Sequence, residues 1–273
     1  MAAIHAYLCW ISVGLYWIIA QLLGRRQRNW RQEKIVICGG SGALGGELAQ
    51  QLQALGANVQ IVDIVGGEDV IHCDVTEPVQ VARVFEEITD ATILVNAMGL
   101  VYGKPLTELS HQEIEASLKT NIHSFFLTCK HFLTSHLGQK TVVNVSSCLG
   151  LAGVAEMTDY CASKFAVFGL TESLRREHPQ HRFITVCPFL IRDVGLFQNR
   201  SDWCIKVRHP WLIAPLSCQQ VATQIIQAID SGKSELYLPK IVNIFPISRV
   251  LPTTVQDWIH QLLGSNDSKI HIY

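Results

Sequence analysis

The chain contains 273 residues, of which 48% are hydrophobic, 16% charged and 8% aromatic, and its formal net charge is −1. A chain of this length can bury a full hydrophobic core without disulfide or metal staples. The composition excludes a disordered chain, a collagen-like chain and a small disulfide scaffold. The near-zero net charge gives no support for nucleic-acid binding, whereas the high apolar fraction indicates contact with a membrane.

The nine cysteines occur singly, and none forms a Cys-x-x-Cys pair. This usage is typical of reduced thiols in a reducing compartment. The eleven histidines show no metal-binding spacing such as His-Glu-x-x-His, so the sequence predicts no metal site.

The amino-terminal segment carries an uneven charge pattern. Residues 1–24 contain no Lys, Arg, Asp or Glu, whereas residues 25–33 contain four arginines and one glutamate. We expect a membrane anchor at 1–24, just long enough to cross a hydrocarbon core, and a basic juxtamembrane collar at 25–33. Because the positive charge follows the span, the positive-inside rule places the remaining domain in the cytosol. A helix lying in the membrane interface, or a hairpin dipping into one leaflet, is the alternative.

The rest of the chain alternates between strand-like and helix-like patterns. Predicted helices cover 42–56, about 110–137 and about 157–178. Predicted strands cover 34–38, 58–63, 70–74, 92–96, 141–147, 182–187 and 235–238. Such alternation is typical of a parallel sheet that is covered on both faces. We therefore predict an α/β fold at 34–240, a single doubly wound (Rossmann) parallel sheet with helices on both faces, preceded by an N-terminal hydrophobic anchor helix.

A glycine-rich turn follows the first predicted strand and opens a helix, in the order that dinucleotide binding requires. Glycines let the backbone approach a pyrophosphate, and the free N–H groups of the helix bind it. The predicted cofactor contacts in this loop are Gly39, Ser41, Gly42, Leu44 and Gly45. Asp63, at the end of the second predicted strand, can accept hydrogen bonds from the adenosine ribose and repel a 2′-phosphate, which favours NAD over NADP. A solvated acid at a strand end is the alternative interpretation.

Tyr160 and Lys164 are four residues apart, so they share one face of a predicted helix. A cation beside a phenol favours the phenolate and lowers its pKa, which would let Tyr160 exchange a proton near neutral pH. Ser147 ends a predicted strand, where ligands bind in open parallel sheets, and its hydroxyl can hold a substrate oxygen. Asn121 lies on the preceding long helix.

These motifs, spread over about residues 34–240, resemble those of the short-chain dehydrogenase/reductase family. The matching elements are the glycine loop, Asp74-Val75, Asn96-Ala97-Met98-Gly99, Asn121, Ser147 and Tyr160-x-x-x-Lys164. The resemblance implies that Tyr160 is the acid/base and that Lys164 lowers its pKa and binds the nicotinamide ribose. It also implies that Ser147 orients the substrate carbonyl or hydroxyl and that Asn121 holds a water in a proton relay. Asp74 would lie at the adenine and Asn96 near the ribose.

Within that family the chain is most similar to the membrane-associated branch of retinol dehydrogenases and lipid-droplet 17-beta-hydroxysteroid dehydrogenases. This implies a lipophilic alcohol or ketone as substrate, such as a retinoid, a steroid or a long-chain lipid. It also implies a location at the endoplasmic reticulum membrane or the lipid droplet. Family members often form homodimers through the two long helices.

The chain departs from the usual family pattern at three places. Cys38 replaces a threonine, Ala43 replaces a glycine, and Asp193 or Val194 stands where a threonine is expected. These departures favour the alternative function, a nucleotide-binding protein of a membrane or lipid-droplet surface with little or no turnover.

Two apolar segments flank the end of the predicted domain. The stretch at 189–216 follows the sixth strand, so we expect it to close over the sheet edge as a lid, although core packing or membrane docking explains it equally well. The segment at 241–273 is predicted to dock on a membrane beside the anchor.

Overall fold

The computed structural model describes residues 28–134, 138–192 and 214–263, with side chains described as far as residue 258. The predicted anchor at 1–24, most of the predicted lid and the last ten residues lie outside these ranges. Within them, no helix combines the length and apolar character that a membrane crossing requires.

Seven strands form one sheet in the order β3-β2-β1-β4-β5-β6-β7, and every neighbouring pair is parallel. The predicted doubly wound sheet is confirmed. The strand order changes direction between β1 and β4, and such a switch point is where open α/β sheets bind ligands. The strands are β1 Lys34–Cys38, β2 Asn58–Asp63, β3 Val70–His72, β4 Ile93–Asn96, β5 Thr141–Val145, β6 Arg182–Pro188 and β7 Glu235–Leu238.

Helices cover both faces of the sheet, as predicted. Alternate strand residues point to opposite faces, so Ile35 and Ile37 pack in one apolar cluster while Val36 and Cys38 pack in the other. Helices α1 and α6 contribute to the first cluster, and α2, α4 and α5 contribute to the second. The helices are α1 Ala43–Ala54, α2 Pro78–Glu87, α3 His111–Leu118, α4 Ser124–Thr134, α5 Thr158–Glu177, α6 Cys218–Ser231, α7 Ile244–Ser248 and α8 Thr253–Leu263.

The predicted helix at about 110–137 is interrupted in the structure. A π-helical turn at Lys119–His123 separates α3 from α4. Asn121 lies in this turn, fully buried, and its side chain bonds to the loop after β4. The spacing of apolar residues does not reveal a single widened turn inside a helix. Such π-helical turns often occur at functional sites.

A buried polar network joins α4 and α5 to the middle of the sheet. The Asn96 amide donates to the Asn144 side-chain oxygen at 2.8 Å, and the Thr128 hydroxyl donates to the Asn96 oxygen at 2.9 Å. The Asn144 amide in turn donates to the Thr171 hydroxyl at 2.9 Å. All four side chains are buried, so the network fixes the depth at which each helix sits on the sheet.

The predicted basic collar is described from residue 28 onward. This part packs against the amino ends of the strands. Trp30 is buried in the cluster of α1 and α6. Arg28 forms an ion pair of 2.8 Å with Glu33, which accepts a hydrogen bond from Thr92 at the start of β4.

Candidate active site

The carboxyl ends of β1, β4 and β5 bring the predicted site residues to one edge of the sheet. The glycine loop follows β1, and the backbone carbonyls of Met98 and Val145 lie at the ends of β4 and β5. Lys164 of α5 donates hydrogen bonds to both carbonyls. The nucleotide loop and the Tyr160-Lys164 pair, 120 residues apart in the chain, are therefore neighbours in the fold.

The glycine loop leaves no room for a side chain at several of its positions, among them Gly39 and Gly45. Gly39 has φ of +81°, and a Cβ there would lie 2.9 Å from the carbonyl carbon of Ala97. A Cβ on Gly45 would lie 2.3 Å from the carbonyl oxygen of Gly39. These close approaches let the loop turn tightly from the strand into α1.

The amino end of α1 is open to a ligand. Gly42 is the N-cap residue and offers no side-chain cap, so the first N–H groups of the helix are available to an anion. Ser41, Gly42 and Ala43 are exposed, whereas Leu44 is buried in the core. The loop therefore fits the pyrophosphate of a nicotinamide cofactor, and Ala43 is exposed at the amino end of the helix.

Asp63 anchors the loop to the end of β2. Its carboxylate accepts hydrogen bonds from the backbone N–H of Ser41 at 2.9 Å and of Val65 at 3.0 Å. The Ser41 hydroxyl donates to the Val65 carbonyl at 3.1 Å. The carboxylate predicted to bind the ribose thus lies beside the glycine loop and is partly exposed there.

Two other predicted cofactor contacts have local partners. Asp74 accepts hydrogen bonds from the backbone and hydroxyl of Thr76, at 2.9 and 2.7 Å, and so shapes the turn before α2. The Asn96 side chain is fully buried, and both its polar atoms are bonded within the core network. The predicted contact near the ribose is therefore left to the backbone of residue 96.

Ser147 and Tyr160 meet at the end of β5. Ser147 is the N-cap of a short 3-10 turn, Cys148–Gly150, and its hydroxyl accepts the backbone N–H of Leu149 at 3.1 Å. Tyr160 is 9% exposed. Burial raises the pKa of its phenol well above the ordinary value, while a hydrogen bond with Ser147 lowers it in part. The phenol is therefore held in its protonated form, next to the hydroxyl expected to orient the substrate.

Lys164 is a buried amine that forms no ion pair with a carboxylate of the described residues. Its amine donates to the Val145 carbonyl at 3.1 Å and the Met98 carbonyl at 3.4 Å, and lies 5.5 Å from the centre of the Tyr160 ring. Burial lowers the pKa of Lys164 to about 7. The expected lowering of the Tyr160 pKa by Lys164 is not seen in this structure, because desolvation dominates at both groups.

Asn121 holds the loop after β4 in place. Its side chain accepts the backbone N–H of Leu100 at 2.7 Å and donates to the Leu100 carbonyl at 2.8 Å. It also donates to Ser117 at 3.2 Å. Both amide hydrogens are used in these bonds, so a water in the expected proton relay would be held by the second lone pair of the side-chain oxygen or by the backbone of the π-helical turn.

Asp159 is a buried carboxylate that the sequence did not predict as a site residue. It precedes Tyr160 and is 5% exposed, and neither carboxylate oxygen has a hydrogen-bond partner among the described residues. Its place in the first turn of α5 gives a favourable interaction with the amino end of the helix. An acid beside a predicted helix start was the only signal in the sequence, and it does not reveal the burial.

Comparison with known proteins identifies the family. The family model of the short chain dehydrogenases matches residues 33–204 of this chain. Human epidermal retinol dehydrogenase 2 is 32% identical over 252 residues, covering 82% of this chain and 80% of the relative. Rat retinol dehydrogenase 10 is 33% identical over 192 residues, covering 67% of this chain and 55% of the relative. The chain belongs to the short-chain dehydrogenase family of oxidoreductases. Within it, the chain lies on the retinol dehydrogenase branch.

Solved structures agree with this fold. A short chain dehydrogenase from Burkholderia cenocepacia, in complex with NADP, superposes with a TM-score of 0.72 at 22% identity, covering 86% of this chain and 99% of that one. Ligand-free aldohexose dehydrogenase from Thermoplasma acidophilum has a TM-score of 0.66 at 22% identity, covering 78% of this chain and 94% of that one. At this identity the likeness shows the fold alone.

The tight contact at Gly45 leads to a prediction about nucleotide binding. Gly45→Ala would place a methyl group 2.3 Å from the Gly39 carbonyl oxygen, so the loop must shift. We expect NADH affinity to fall at least about tenfold, or ~1.4 kcal/mol, as measured by fluorescence titration. Gly46→Ala is the matched control, because its Cβ would lie an ordinary 3.5 Å from the nearest carbonyl oxygen. Equal affinity in both variants would contradict the proposed loop geometry.

The burial of Lys164 leads to a prediction about stability and pH. With a folded pKa of about 7 and an unfolded value near ~10.4, the unfolded state binds more protons between these limits. The parent protein therefore gains about 1.4 kcal/mol per pH unit from this group as pH rises above 7. The Lys164→Met variant should therefore exceed the parent in free energy of unfolding by the largest amount below pH 7, where the parent must bury a charged amine. This difference should shrink as pH rises above 7.

Urea unfolding of the cofactor-free protein at several pH values measures this difference. Exposed Lys130→Met is the control, and its difference from the parent should stay flat across the same range. A Lys164→Met difference that is equally flat would show that Lys164 is not a desolvated amine.

Proposed function

We propose that the protein transfers a hydride between NAD and a lipophilic alcohol or ketone, with Tyr160 as the acid/base. The observation that carries the proposal is the convergence of Ser147, Tyr160 and Lys164 at the sheet edge beside the glycine loop. A nicotinamide ring bound there would accept or supply the hydride. The chain's own residues bind the substrate oxygen and move its proton.

The Ser147 hydroxyl and the Tyr160 phenol are placed to hold one substrate oxygen between them. In alcohol oxidation, Tyr160 must first become the phenolate by passing its own proton to the neutral amine of Lys164. The phenolate then takes up the hydroxyl proton as the C–H bond gives its hydride to a bound nicotinamide. In the reverse direction, the phenol returns that proton to the carbonyl oxygen. Lys164, with a pKa of about 7, exchanges protons readily at neutral pH. The ammonium form of Lys164 stabilises the Tyr160 phenolate. Because both groups are buried, water screens their attraction only weakly.

The surroundings of Tyr160 support a lipophilic substrate. Tyr160 belongs to an apolar cluster with Val101, Met157 and Cys161, against which Leu149 and Val154 pack. An apolar wall beside the acid/base favours a hydrocarbon body and excludes water from the reacting centre. The names of the relatives, which are retinol dehydrogenases, are consistent with a retinoid. A steroid or a long-chain lipid alcohol fits the same wall.

The charge around the adenosine side supports NAD. No lysine or arginine occurs from residue 35 to residue 82, a range that holds α1, β2, β3 and all of β1 except Lys34 at its amino end. Asp63 lies at the end of β2, bonded to the glycine loop. A 2′-phosphate would therefore meet a carboxylate and find no cation nearby on these elements. NADP stays the less favoured cofactor.

The cellular setting belongs to the same proposal. The uncharged segment at 1–24 and the basic residues after it support an anchor in the endoplasmic reticulum membrane or at the lipid droplet, with the catalytic domain in the cytosol. A homodimer through α3–α4 and α5 is proposed from the family alone.

Replacing the acid/base tests the chemistry. Tyr160→Phe keeps the buried ring but removes the hydroxyl, so turnover should fall by at least about a thousandfold, within the range of acid–base contributions. NADH formation by detergent-solubilised protein, with a panel of retinoid, steroid and long-chain alcohols, measures it, and NADH affinity should stay within twofold.

Tyr237→Phe is the matched control, because this phenol bonds to Glu235 and should leave turnover unchanged. Retained turnover in Tyr160→Phe would overturn the mechanism. NADH binding by the parent without turnover on any alcohol would favour the alternative, a nucleotide-binding surface protein.

Replacing Asp63 tests cofactor choice. Asp63→Ala removes the carboxylate that would repel a 2′-phosphate, so the ratio of kcat/KM for NAD to that for NADP should fall at least about tenfold. Asp69→Ala, a nearby exposed acid, should leave the ratio unchanged. A parent enzyme that already prefers NADP would show that the interpretation of Asp63 is wrong.

A further inference from the structure

The segment after β7 exposes an apolar surface that the proposed chemistry does not use. Six large apolar side chains of α7, α8 and the turn between them are between 37% and 82% exposed. We name this set the C-terminal apolar surface. Its members are Ile244, Ile247, Val250, Leu251, Val255 and Trp258.

The other side of the same segment packs against the catalytic elements. Val242 is fully buried in a cluster with Cys148 and Leu151, which lie just after Ser147, and Phe245 packs on this cluster. The Arg249 guanidinium lies 4.8 Å from the centre of the Phe165 ring. Phe165 directly follows Lys164 in the chain. These contacts fix the exposed surface relative to the active site.

The segment carries a small excess of positive charge. From residue 236 to residue 258 its charged residues are Lys240, Arg249 and Asp257, all of them exposed. An apolar surface flanked by cations complements a bilayer that contains anionic lipids. The indole of Trp258, 62% exposed, is the side chain best suited to the lipid headgroup region.

We propose that the C-terminal apolar surface docks on a phospholipid bilayer that contains anionic lipid. A second copy of the chain fits less well, because a twofold contact would bring the two exposed cations of each copy, Lys240 and Arg249, together with only one exposed acid per copy, Asp257, on α7 and α8 to pair them. The segment at 1–24 fits less well too, because it carries no charge to complement these cations and is followed by arginines.

Docking of the C-terminal apolar surface would bring the carboxyl edge of the sheet, which carries the active site, close to the membrane. The surface follows β7 directly, and β7 ends at the same edge as β5 and Ser147. A lipophilic alcohol dissolved in the bilayer would then reach Tyr160 without crossing water. This second step rests on the proposed function, whereas bilayer docking does not.

Quenching of Trp258 by lipid tests the docking directly. Full-length protein is mixed with vesicles of phosphatidylcholine and phosphatidylserine that carry brominated acyl chains, and fluorescence is compared between the parent and Trp258→Phe. The difference isolates Trp258, so an independent anchor at 1–24 does not confuse the result. We expect Trp258 to be quenched, and Ile247→Gln with Val250→Gln to reduce this quenching at least threefold. Omitting phosphatidylserine should weaken docking by about fivefold for each contacting cation.

Val79→Gln on α2 is the matched control, because Val79 and Val250 are both 82% exposed and Val79 lies outside the surface. Equal thermal unfolding of the variants confirms that each is folded. Unquenched Trp258 would overturn the proposal, as would equal quenching in the surface variant and the control. A dimer that the surface variant dissociates, seen by light scattering, would assign the surface to a second copy.

Activity separates the two steps. The surface variant should raise KM for a vesicle-borne long-chain alcohol several-fold and leave kcat/KM for a short, water-soluble alcohol unchanged. Quenched Trp258 without turnover on either alcohol would overturn the proposed function and leave the docking established.

Discussion

The hydrogen-bond network of Asn96, Asn144, Thr128 and Thr171 is the constraint on which the site depends. It lies in a core that is otherwise apolar, where a broken bond would leave an amide or hydroxyl unsatisfied at a cost of about 1–3 kcal/mol. Thr128 lies seven residues after Asn121, and Thr171 seven residues after Lys164. Seven residues are close to two helical turns. The hydrogen bonds of Thr128 and Thr171 to the sheet therefore fix how far Asn121 and Lys164 lie along their helices relative to the strand ends. The sheet is thereby the common reference for two helices that carry different parts of the site.

Most of the architecture could be predicted because its signals are local. β7 is found at its predicted bounds, and β1 and β2 agree as well, since each is a short run of β-branched or apolar residues bounded by turn residues. The glycine loop and the Tyr160-Lys164 spacing are local too. By contrast, α2 and α6 were not predicted. The π-helical turn at Lys119–His123 was missed because it depends on a bond from Asn121 to Leu100, across two segments.

The roles of side chains were harder to predict than their positions. Asn96 follows from its motif, but whether its amide faces a ligand or the core is decided by Thr128 and Asn144, which are distant in sequence. The same holds for Asp159, whose burial results from the packing of α5. Spacing shows that Tyr160 and Lys164 share a helix face, yet it does not show how much water surrounds them. That quantity sets both pKa values, so the electrostatics of the site are a property of the folded chain.

Burial acts on Tyr160 and Lys164 in opposite directions and favours the uncharged form of each. It raises the pKa of the phenol and lowers that of the amine to about 7. The phenolate and ammonium differ from the neutral pair by one proton moved from oxygen to nitrogen, and their mutual attraction partly offsets the desolvation that each charge suffers alone. In this structure the neutral pair is therefore strongly favoured, and the polar groups of a bound ligand are needed to stabilise the charged pair before it forms.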